Sequence, residues 1–281
     1  KTVFVIEASS YQLEYSKLFK SNISIILNIS PDHLERHQTI NKYVRAKFKL
    51  VKNQSKKDLA ILNFKNFYIK RELLSKNFLP KIIKIEKDID GILLKKINNH
   101  YFKTNGNKEN LKFVLEVSKI LKLKKDYLIK TLKKFKGLKY RQEIIFQSKN
   151  LTIINDSKAT TFSSSVSLLK SLTNVYWIVG GQAKKGDKLL LSKNDCENFN
   201  AYIFGNNKNF FIGKLKKIMK YKYFLDLKSL VKKLSLEIKI DKKNIHKTIL
   251  FSPAAASFDS FKNFEKRGEY FNQLIKKYIN V

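Results

Sequence analysis

Short apolar runs rich in β-branched residues alternate along this chain with longer stretches of helical periodicity. This alternation is typical of α/β layers built around a mainly parallel sheet. The apolar runs predict strands at 3–6, 23–27, 59–62 and 82–85 in a first unit, and at 144–146, 151–154, 175–179, 201–204 and 248–251 in a second. The intervening stretches predict helices at about 38–53, 107–121, 125–134, 162–172, 209–220, 227–236 and 262–278.

A glycine places the predicted boundary between the two units. The helix at 125–134 runs into Gly137, and glycine is a common stop after a helix. The strand and helix pattern then restarts with a rhythm like that of a Rossmann fold. The sequence therefore predicts two domains, 1–137 and 138–281.

Composition excludes several classes of protein. A chain of 281 residues with 43% hydrophobic content can build real cores, which excludes intrinsic disorder. Its apolar runs are far shorter than the roughly 20 residues of a membrane-spanning helix, so no membrane insertion is predicted. Cys196 is the single cysteine, so an internal disulfide is excluded, and the four histidines are too scattered for a Cys/His zinc site. This composition suits a reducing cytoplasm.

The formal net charge of +35 has two possible meanings. It could indicate a nucleic-acid-binding module or attraction to phosphate-bearing molecules. However, the 58 basic residues include only five arginines, the residue that base and phosphate recognition favours, and the lysines are spread along the whole chain. We therefore interpret the charge as a compositional bias and expect no specific nucleic acid partner.

Ligands of open α/β sheets bind at the carboxyl ends of the strands, so the residues that follow each run are the candidates. In the first unit, Glu7 follows the run at 3–6 and could hold Mg²⁺. Asn28 and then His33 and His37 follow the next run. The alternatives are a strand-end charge that meets solvent at Glu7 and a capped helix start near His33.

The second unit offers three more such positions. Asp156, Lys158 and Thr160 follow the run at 151–154, where they could orient a nucleotide or an anionic substrate. A loop with two glycines and Lys184 follows the run at 175–179, and it could approach a negatively charged ligand. The segment from Ser252 to Asp259 follows the run at 248–251 and could present serine hydroxyls and backbone amides to a carboxylate, although the small residues there could equally serve tight packing.

Taken in order, these segments resemble the Mur ligases. The resemblance covers the chain essentially from end to end and is carried by seven segments: 7–14 (EASSYQLE), 28–37 (NISPDHLERH), 43–47 (YVRAK), Gly137 to Arg141, 155–160 (NDSKAT), Gly180 and Gly181 with Lys184, and 252–268 (SPAAASFDSFKNFEKRG). It implies the rear part of a central ATPase-type α/β domain, which binds ATP and Mg²⁺, followed by a Rossmann-like C-terminal domain. It also implies a monomeric cytoplasmic enzyme of peptidoglycan synthesis.

The last segment points to the members that add D-glutamate to UDP-N-acetylmuramoyl-L-alanine. The resemblance implies that ATP phosphorylates the substrate carboxylate and that the amine of D-glutamate attacks the acyl phosphate. It assigns Glu7 and His33 to Mg²⁺, and it implies that Lys47 is carbamylated and supplies a further negative ligand. We expect the reaction in a cleft between the two domains.

The remaining assignments also follow from the resemblance. Ser9, Gln12 and Asn28 would line the side of the cleft that binds the muramoyl peptide and the metal. Nucleotide contacts would come from Arg141, Asp156 and Lys158. The D-glutamate region would contain Thr160, Lys184, Ser252, Phe258 and Phe264.

The family's uridine-binding domain and its phosphate-binding loop both precede the strand that ends at Glu7, and neither is in this sequence. We therefore expect this polypeptide alone to be inactive and its intact parent to be the ligase. Three further possibilities stay open: a ligase of the Mur or folylpolyglutamate synthase type that adds another amino acid, a basic nucleic-acid-binding module, and a truncated relative that only binds partners.

Overall fold

The computed structural model describes residues 2–31, 33–184, 186–196, 198–240 and 245–279, without the side chains of residues 100 and 103. Contacts divide the chain into two compact units, one formed by Lys1–Asn98 and Lys108–Lys130, the other by Asn99–Asn107 and Thr131–Val281. The domains predicted at 1–137 and 138–281 remain a prediction. In the described part, no helix is long and apolar enough to cross a membrane.

The first unit is built on a three-stranded parallel sheet in the order β1, β2, β3, with strands Ile23–Ile26, Leu59–Asn63 and Lys81–Ile85. Helices in this part of the chain are α1 (Ser10–Tyr15), α2 (Leu34–His37), α3 (Ile40–Lys52), α4 (Phe67–Ser75), α5 (Gly91–Ile97), α6 (Asn105–Ile120) and α7 (Lys125–Lys134), with a 3₁₀ helix at His100–Lys103.

Helix α3 covers this sheet. Its start is capped by Thr39, whose Oγ1 accepts a hydrogen bond from the backbone N–H of Lys42. Val44, Phe48 and Val51 lie on its buried face at helical spacing and pack with β-strand residues in one core. The periodicity that predicted a helix at 38–53 thus reflects burial against the sheet.

One predicted strand is wrong. Residues 3–6 form no strand, and all four side chains are exposed, Val5 to 96%. A strand is stable only when its backbone groups pair with a neighbour, and this segment pairs with none of the three described strands of the sheet. Glu7 therefore does not end a buried strand but lies in an exposed, irregular segment before α1.

The second unit contains a six-stranded sheet in the order β4, β5, β9, β6, β7, β8. Its strands are β4 (Glu143–Gln147), β5 (Leu151–Asn155), β6 (Val175–Gly180), β7 (Asn200–Phe204), β8 (Lys220–Phe224) and β9 (Lys247–Phe251). Only β4 is antiparallel to its neighbour, with an irregularity between Ile144 and Phe146, and the other pairs are parallel.

Helices cover both faces of this sheet, as a parallel sheet requires. They are α8 (Phe162–Leu169), α9 (Lys208–Leu215), α10 (Leu227–Ile240) and α11 (Phe264–Ile279). One core contains Trp177 and Phe211, and the core on the other face contains Ile178 and Phe271, because successive strand residues point to opposite faces.

Strand β8 is absent from the sequence prediction, which extended a helix to residue 220. Helix α9 instead ends at Leu215, and the strand starts at Lys220. The strand is polar because it lies at the edge of the sheet, where Lys220 and Lys222 reach solvent. An edge strand therefore lacks the continuous apolar run by which the other strands are recognised.

Strand β9 is the last strand in sequence but lies between β5 and β6. Because these three strands are parallel, the residues that follow Asn155, Gly180 and Phe251 meet at one carboxyl edge of the sheet. This edge holds the predicted candidates Asp156, Lys158 and Ser252.

Residue Asp32 of the first unit, part of the 28–37 segment, lies outside the described residues, as does Lys185.

Candidate functional site

In the first unit, Ser9 and Gln12 form the capping box of α1. The Ser9 hydroxyl accepts from the backbone N–H of Gln12 at 3.2 Å, and Gln12 Oε1 accepts from the backbone N–H of Ser9 at 2.8 Å. Both residues thus fix the start of the helix. Asn28 is exposed in the segment directly after β1.

His33 lies beside the buried aromatic cluster of α1 and α3. Its backbone is left-handed, with φ of 54°, and its Nδ1 lies 3.0 Å from the hydroxyl of Tyr11. His37, four residues on, is buried between Tyr11 and Tyr43 and bonds Ser10 through Nε2 at 3.0 Å. The short helix α2 confirms that a helix starts here, and among the described residues no side-chain hydrogen bond caps it.

The three expected metal ligands are not gathered into one set. Glu7 is exposed, His33 contacts Tyr11, and the Lys47 ammonium lies 5.2 Å from the centroid of the Tyr43 ring. Across the described ranges, no group of three or more His, Cys, Asp or Glu side chains could hold a metal ion. The Mg²⁺ assignment and the carbamate on Lys47 therefore remain predictions.

In the second unit, the loops after β6 and β9 are tied together by their backbones. Gly180 N–H donates to the Pro253 carbonyl at 3.0 Å, and Gln182 and Ala256 exchange hydrogen bonds at 2.9 and 3.1 Å. Gly181 adopts φ of +122°, and a Cβ there would lie 2.7 Å from the Ala256 carbonyl oxygen. Glycine is therefore required for this close approach.

Asp156 is the central ionisable group of this edge. It is 5% exposed, and Oδ1 accepts from the backbone N–H of Gln142 at 3.1 Å while Oδ2 accepts from the Ser252 hydroxyl at 2.8 Å. Burial raises the pKa of Asp156 to about 7, against the lowering effects of these two bonds and of Arg141. Such a perturbed carboxyl at a strand end marks a candidate site.

Ser252 has a different environment from the one expected. It is fully buried, with its hydroxyl against Asp156 and Ser165 and its carbonyl bonded to Trp177 Nε1. In the structure, its hydroxyl therefore lies against Asp156 and Ser165. The assignment of Ser252 to the D-glutamate region remains a prediction.

Lys158 and Phe264 come together above this edge. The Lys158 ammonium lies 3.9 Å from the centroid of the Phe264 ring, well within cation–π range. The family resemblance assigned these two residues to different ligands, the nucleotide and D-glutamate, and the structure brings them into contact. Arg141 and Phe258 are both exposed, and Thr160 is half-buried shortly before α8.

Lys184 lies in the loop after β6, which is anchored to α8. Asp187 Oδ2 accepts a hydrogen bond from the backbone N–H of Phe162 at 2.7 Å. This bond fixes the loop at the start of the helix and holds Lys184, half-buried, on the carboxyl side of the sheet.

Arg267 received no individual assignment from the sequence, yet it organises this edge. It is fully buried, and its guanidinium donates to the carbonyls of Ser157 (2.8 Å), Ala255 (2.9 Å) and Ala256 (3.0 Å) and to the Ser157 hydroxyl (3.1 Å). The sequence held a signal for this residue, because only five of its 58 basic residues are arginines. An arginine kept in such a lysine-rich chain indicates that its planar five-donor geometry is needed.

A cleft of about 1320 Å³ opens at the opposite, amino-terminal edge of the six-stranded sheet. It is lined by Asn174, Tyr176, Lys193, Lys216, Lys220 and Lys222, among others. We place the candidate site at the carboxyl edge because ligands of open α/β sheets bind there and because Asp156, the buried carboxyl with a strongly raised pKa, lies there.

The Mur ligase middle domain family matches residues 1–127. A UDP-N-acetylmuramoylalanine--D-glutamate ligase of Hydrogenobaculum sp. (strain Y04AAS1) is 30% identical, over 98% of this chain and 68% of its own length. The corresponding ligase of Rickettsia felis is 32% identical, over 99% of this chain and 66% of its own length.

Among solved structures, a MurF from Acinetobacter baumannii shares the fold with a TM-score of 0.65, at 14% identity over 97% of this chain and 62% of that one. A MurF ligase from Thermotoga maritima, solved in complex with ADP, has a TM-score of 0.59 at 16% identity over 92% of this chain and 62% of that one. These similarities show that this chain has the Mur ligase fold.

This chain belongs to the Mur ligase family. It spans 64 to 66% of the length of the Rickettsia relatives that it matches.

Proposed function

We propose that this chain is part of an ATP-dependent ligase that joins D-glutamate to UDP-N-acetylmuramoyl-L-alanine in cytoplasmic peptidoglycan synthesis. The observation that carries the proposal is the similarity, over 99% of the chain, to a ligase named for that reaction. The carboxyl edge of the second unit also supports the proposal, since it combines a buried carboxylate with ammonium groups that suit negatively charged substrates.

Asp156, Lys158 and Arg141 are proposed to bind the nucleotide. Asp156 accepts two hydrogen bonds in the structure, so an ionised carboxylate retains acceptor capacity for donors of a ligand such as hydroxyl groups. The ammonium of Lys158 and the guanidinium of Arg141 supply charge opposite to that of phosphates.

Lys184 is proposed to bind D-glutamate, together with Thr160, Phe258 and Phe264. A dicarboxylic amino acid requires a cation opposite its side-chain or backbone carboxylate, and Lys184 lies on a loop held by Asp187. In the first unit, Glu7, His33 and a carbamylated Lys47 are proposed to face Mg²⁺, with Ser9, Gln12 and Asn28 on the muramoyl-peptide side. Mg²⁺ would neutralise charge on the transferring phosphoryl group.

The test is ATP-dependent formation of UDP-N-acetylmuramoyl-L-alanyl-D-glutamate by the complete product of the gene that encodes this chain. We expect release of phosphate that requires both D-glutamate and UDP-N-acetylmuramoyl-L-alanine. Lys184→Ala should raise the KM for D-glutamate at least tenfold, because one charge-assisted contact is lost. Lys188→Ala, on an exposed neighbour in the same segment, provides the control.

Two outcomes would contradict the proposal. Phosphate release driven by a different amino acid would favour the alternative of another Mur-type or folylpolyglutamate synthase-like ligase. An equal effect of Lys184→Ala and Lys188→Ala on the KM for D-glutamate would remove Lys184 from the amino-acid site while leaving the reaction itself in place.

A further inference from the structure

Two buried serine hydroxyls lie in a row behind Asp156. Ser252 is the first residue after β9, Ser165 lies in α8, and both are fully buried. The Ser165 and Ser252 oxygens are 2.7 Å apart, and Ser252 Oγ lies 2.8 Å from Asp156 Oδ2. The three side chains thus come from different parts of the fold and form one continuous hydrogen-bonded row.

The direction of the hydrogen bonds along this row follows from counting the protons available. A serine hydroxyl has a single proton to donate. When Asp156 is ionised it can only accept, so Ser252 donates to Asp156 and Ser165 must donate to Ser252. When Asp156 is protonated, its own proton can enter the row and both hydroxyls can reverse. The row therefore has one fixed polarity only while the carboxylate is charged.

We propose that Ser252 and Ser165 are positioning residues that hold Asp156 ionised and oriented for its ligand. The inference rests on the proposed nucleotide contact of Asp156. Ser252 donates to Oδ2 and the Gln142 backbone donates to Oδ1, so both oxygens are held and the remaining lone pairs have one orientation. Ser165 acts one step further away, because its donation polarises the Ser252 hydroxyl.

The charge state of Asp156 is finely balanced by its surroundings. Burial raises the pKa of Asp156 to about 7, and the lowering causes are the Ser252 hydroxyl, the Gln142 N–H and the positive charge of Arg141. Tyr101, whose pKa is raised mainly by burial, also senses the Asp156 charge. Near neutral pH, loss of one hydrogen bond therefore changes the fraction of Asp156 that is ionised.

The experiment is a ¹³C NMR titration of the Asp156 carboxyl in the 281-residue chain, with the signal assigned through Asp156→Asn. Ser252→Ala should move the titration midpoint up by about one pH unit, since a hydrogen bond to the charged form is lost. Ser165→Ala should move it in the same direction by less. Ser252→Cys, close in size but a weaker donor, should fall between wild type and Ser252→Ala.

Ser167→Ala is the matched control, because Ser167 is exposed on the same helix as Ser165. Its midpoint should equal that of the wild type. Midpoints unchanged in Ser165→Ala and Ser252→Cys, in chains that fold, would overturn the inference. These two variants keep the test decisive should Ser252→Ala fail to fold.

ATP binding by the complete gene product, measured against pH, separates this inference from the proposed function. With the midpoint one unit higher, Ser252→Ala should bind ATP about fivefold more weakly at pH 7 and nearly as well as wild type at pH 9, because only the ionised fraction binds. A shifted NMR midpoint with unchanged ATP affinity would support the serine row and overturn the nucleotide contact of Asp156. An unshifted midpoint with normal ATP binding would overturn the serine row and leave the proposed nucleotide contact of Asp156 standing.

Discussion

The ammonium of Lys158 lies 3.9 Å from the centre of the Phe264 ring, across the carboxyl edge of the six-stranded sheet. Lys158 follows β5 and Phe264 begins α11, so the contact joins segments more than a hundred residues apart in sequence. An ammonium held over a ring face is positioned without losing its charge, which leaves it available to a phosphate.

Phe264→Leu should weaken ATP binding about twofold to fivefold, because a cation–π contact worth about 0.5–1 kcal/mol no longer holds the ammonium. Isothermal titration calorimetry of the complete gene product with ATP measures this. Phe258→Leu is the control, since Phe258 is 72% exposed in the same segment. Equal affinities for the two variants would contradict a positioning effect of Phe264.

Gly181→Ala should strongly destabilise the second unit. The glycine has φ of +122°, and an added Cβ would lie 2.7 Å from the Ala256 carbonyl oxygen and 3.0 Å from the Arg267 guanidinium. We expect a loss of at least about 2 kcal/mol in urea denaturation, since backbone strain and a steric clash combine.

Gly213→Ala should change the free energy of unfolding in the opposite direction. Gly213 lies within α9 and an added Cβ there would meet nothing within 4 Å, so the gain in helix propensity should stabilise the chain by up to about 1 kcal/mol. Comparable destabilisation by both alanines would show that the Gly181 geometry is not the cause.

Arg267→Lys should lower stability although it preserves the charge. The guanidinium donates four hydrogen bonds within the loops after β5 and β9, and a single ammonium cannot reproduce that fork. Loss of about 3 kcal/mol is expected from several buried acceptors left unpaired, which thermal denaturation would record as a clear fall in Tm. Arg71→Lys, at an exposed position, should change the Tm little.

Asp156→Asn should stabilise the chain at alkaline pH. The folded-state pKa of about 7 lies above the ordinary value of 3.8 for aspartate, so the stability contributed by proton binding is complete below about pH 4 and is lost as pH rises through 7. Asparagine does not titrate, so its advantage over aspartate should grow between pH 4 and 8, to on the order of 2–4 kcal/mol.

Thermal denaturation at pH 4, 6 and 8 would measure this difference. Asp126→Asn, at an exposed position in α7, is the control and should follow the wild-type profile. A constant gap between Asp156→Asn and wild type across that range would contradict a buried, titrating carboxyl.

Most of the second unit could be predicted from sequence because its strands are buried on both faces. The runs that end at Asn155, Gly180 and Phe251 are apolar and β-branched, and a polar residue or glycine marks each end. The strand at 220–224 was missed because an edge strand with alternating lysines carries no such signal. The strand at 3–6 was wrongly predicted because apolar character alone does not provide a partner for its backbone.

The chemical candidates were also readable in the sequence, since polar residues directly after apolar runs lie at a sheet edge. Asp156 and Lys158 were found in this way. Their environment was not, because burial and hydrogen-bond geometry depend on residues far away in the chain. The order in which β9 inserts between β5 and β6 is what places Ser252 against Asp156.

Local patterns of hydrophobic and turn residues in the sequence by themselves determined the α/β class, nearly all the strands of the second unit and the position of its ligand edge. Only the tertiary structure decided that Ser252 is a buried partner of Asp156, that Arg267 ties two loops together, and that Lys158 lies over Phe264. The physical reason is that a pKa, a buried hydrogen bond and a cation–π contact are pairwise properties. They exist only after folding brings together residues that the sequence keeps about a hundred positions apart.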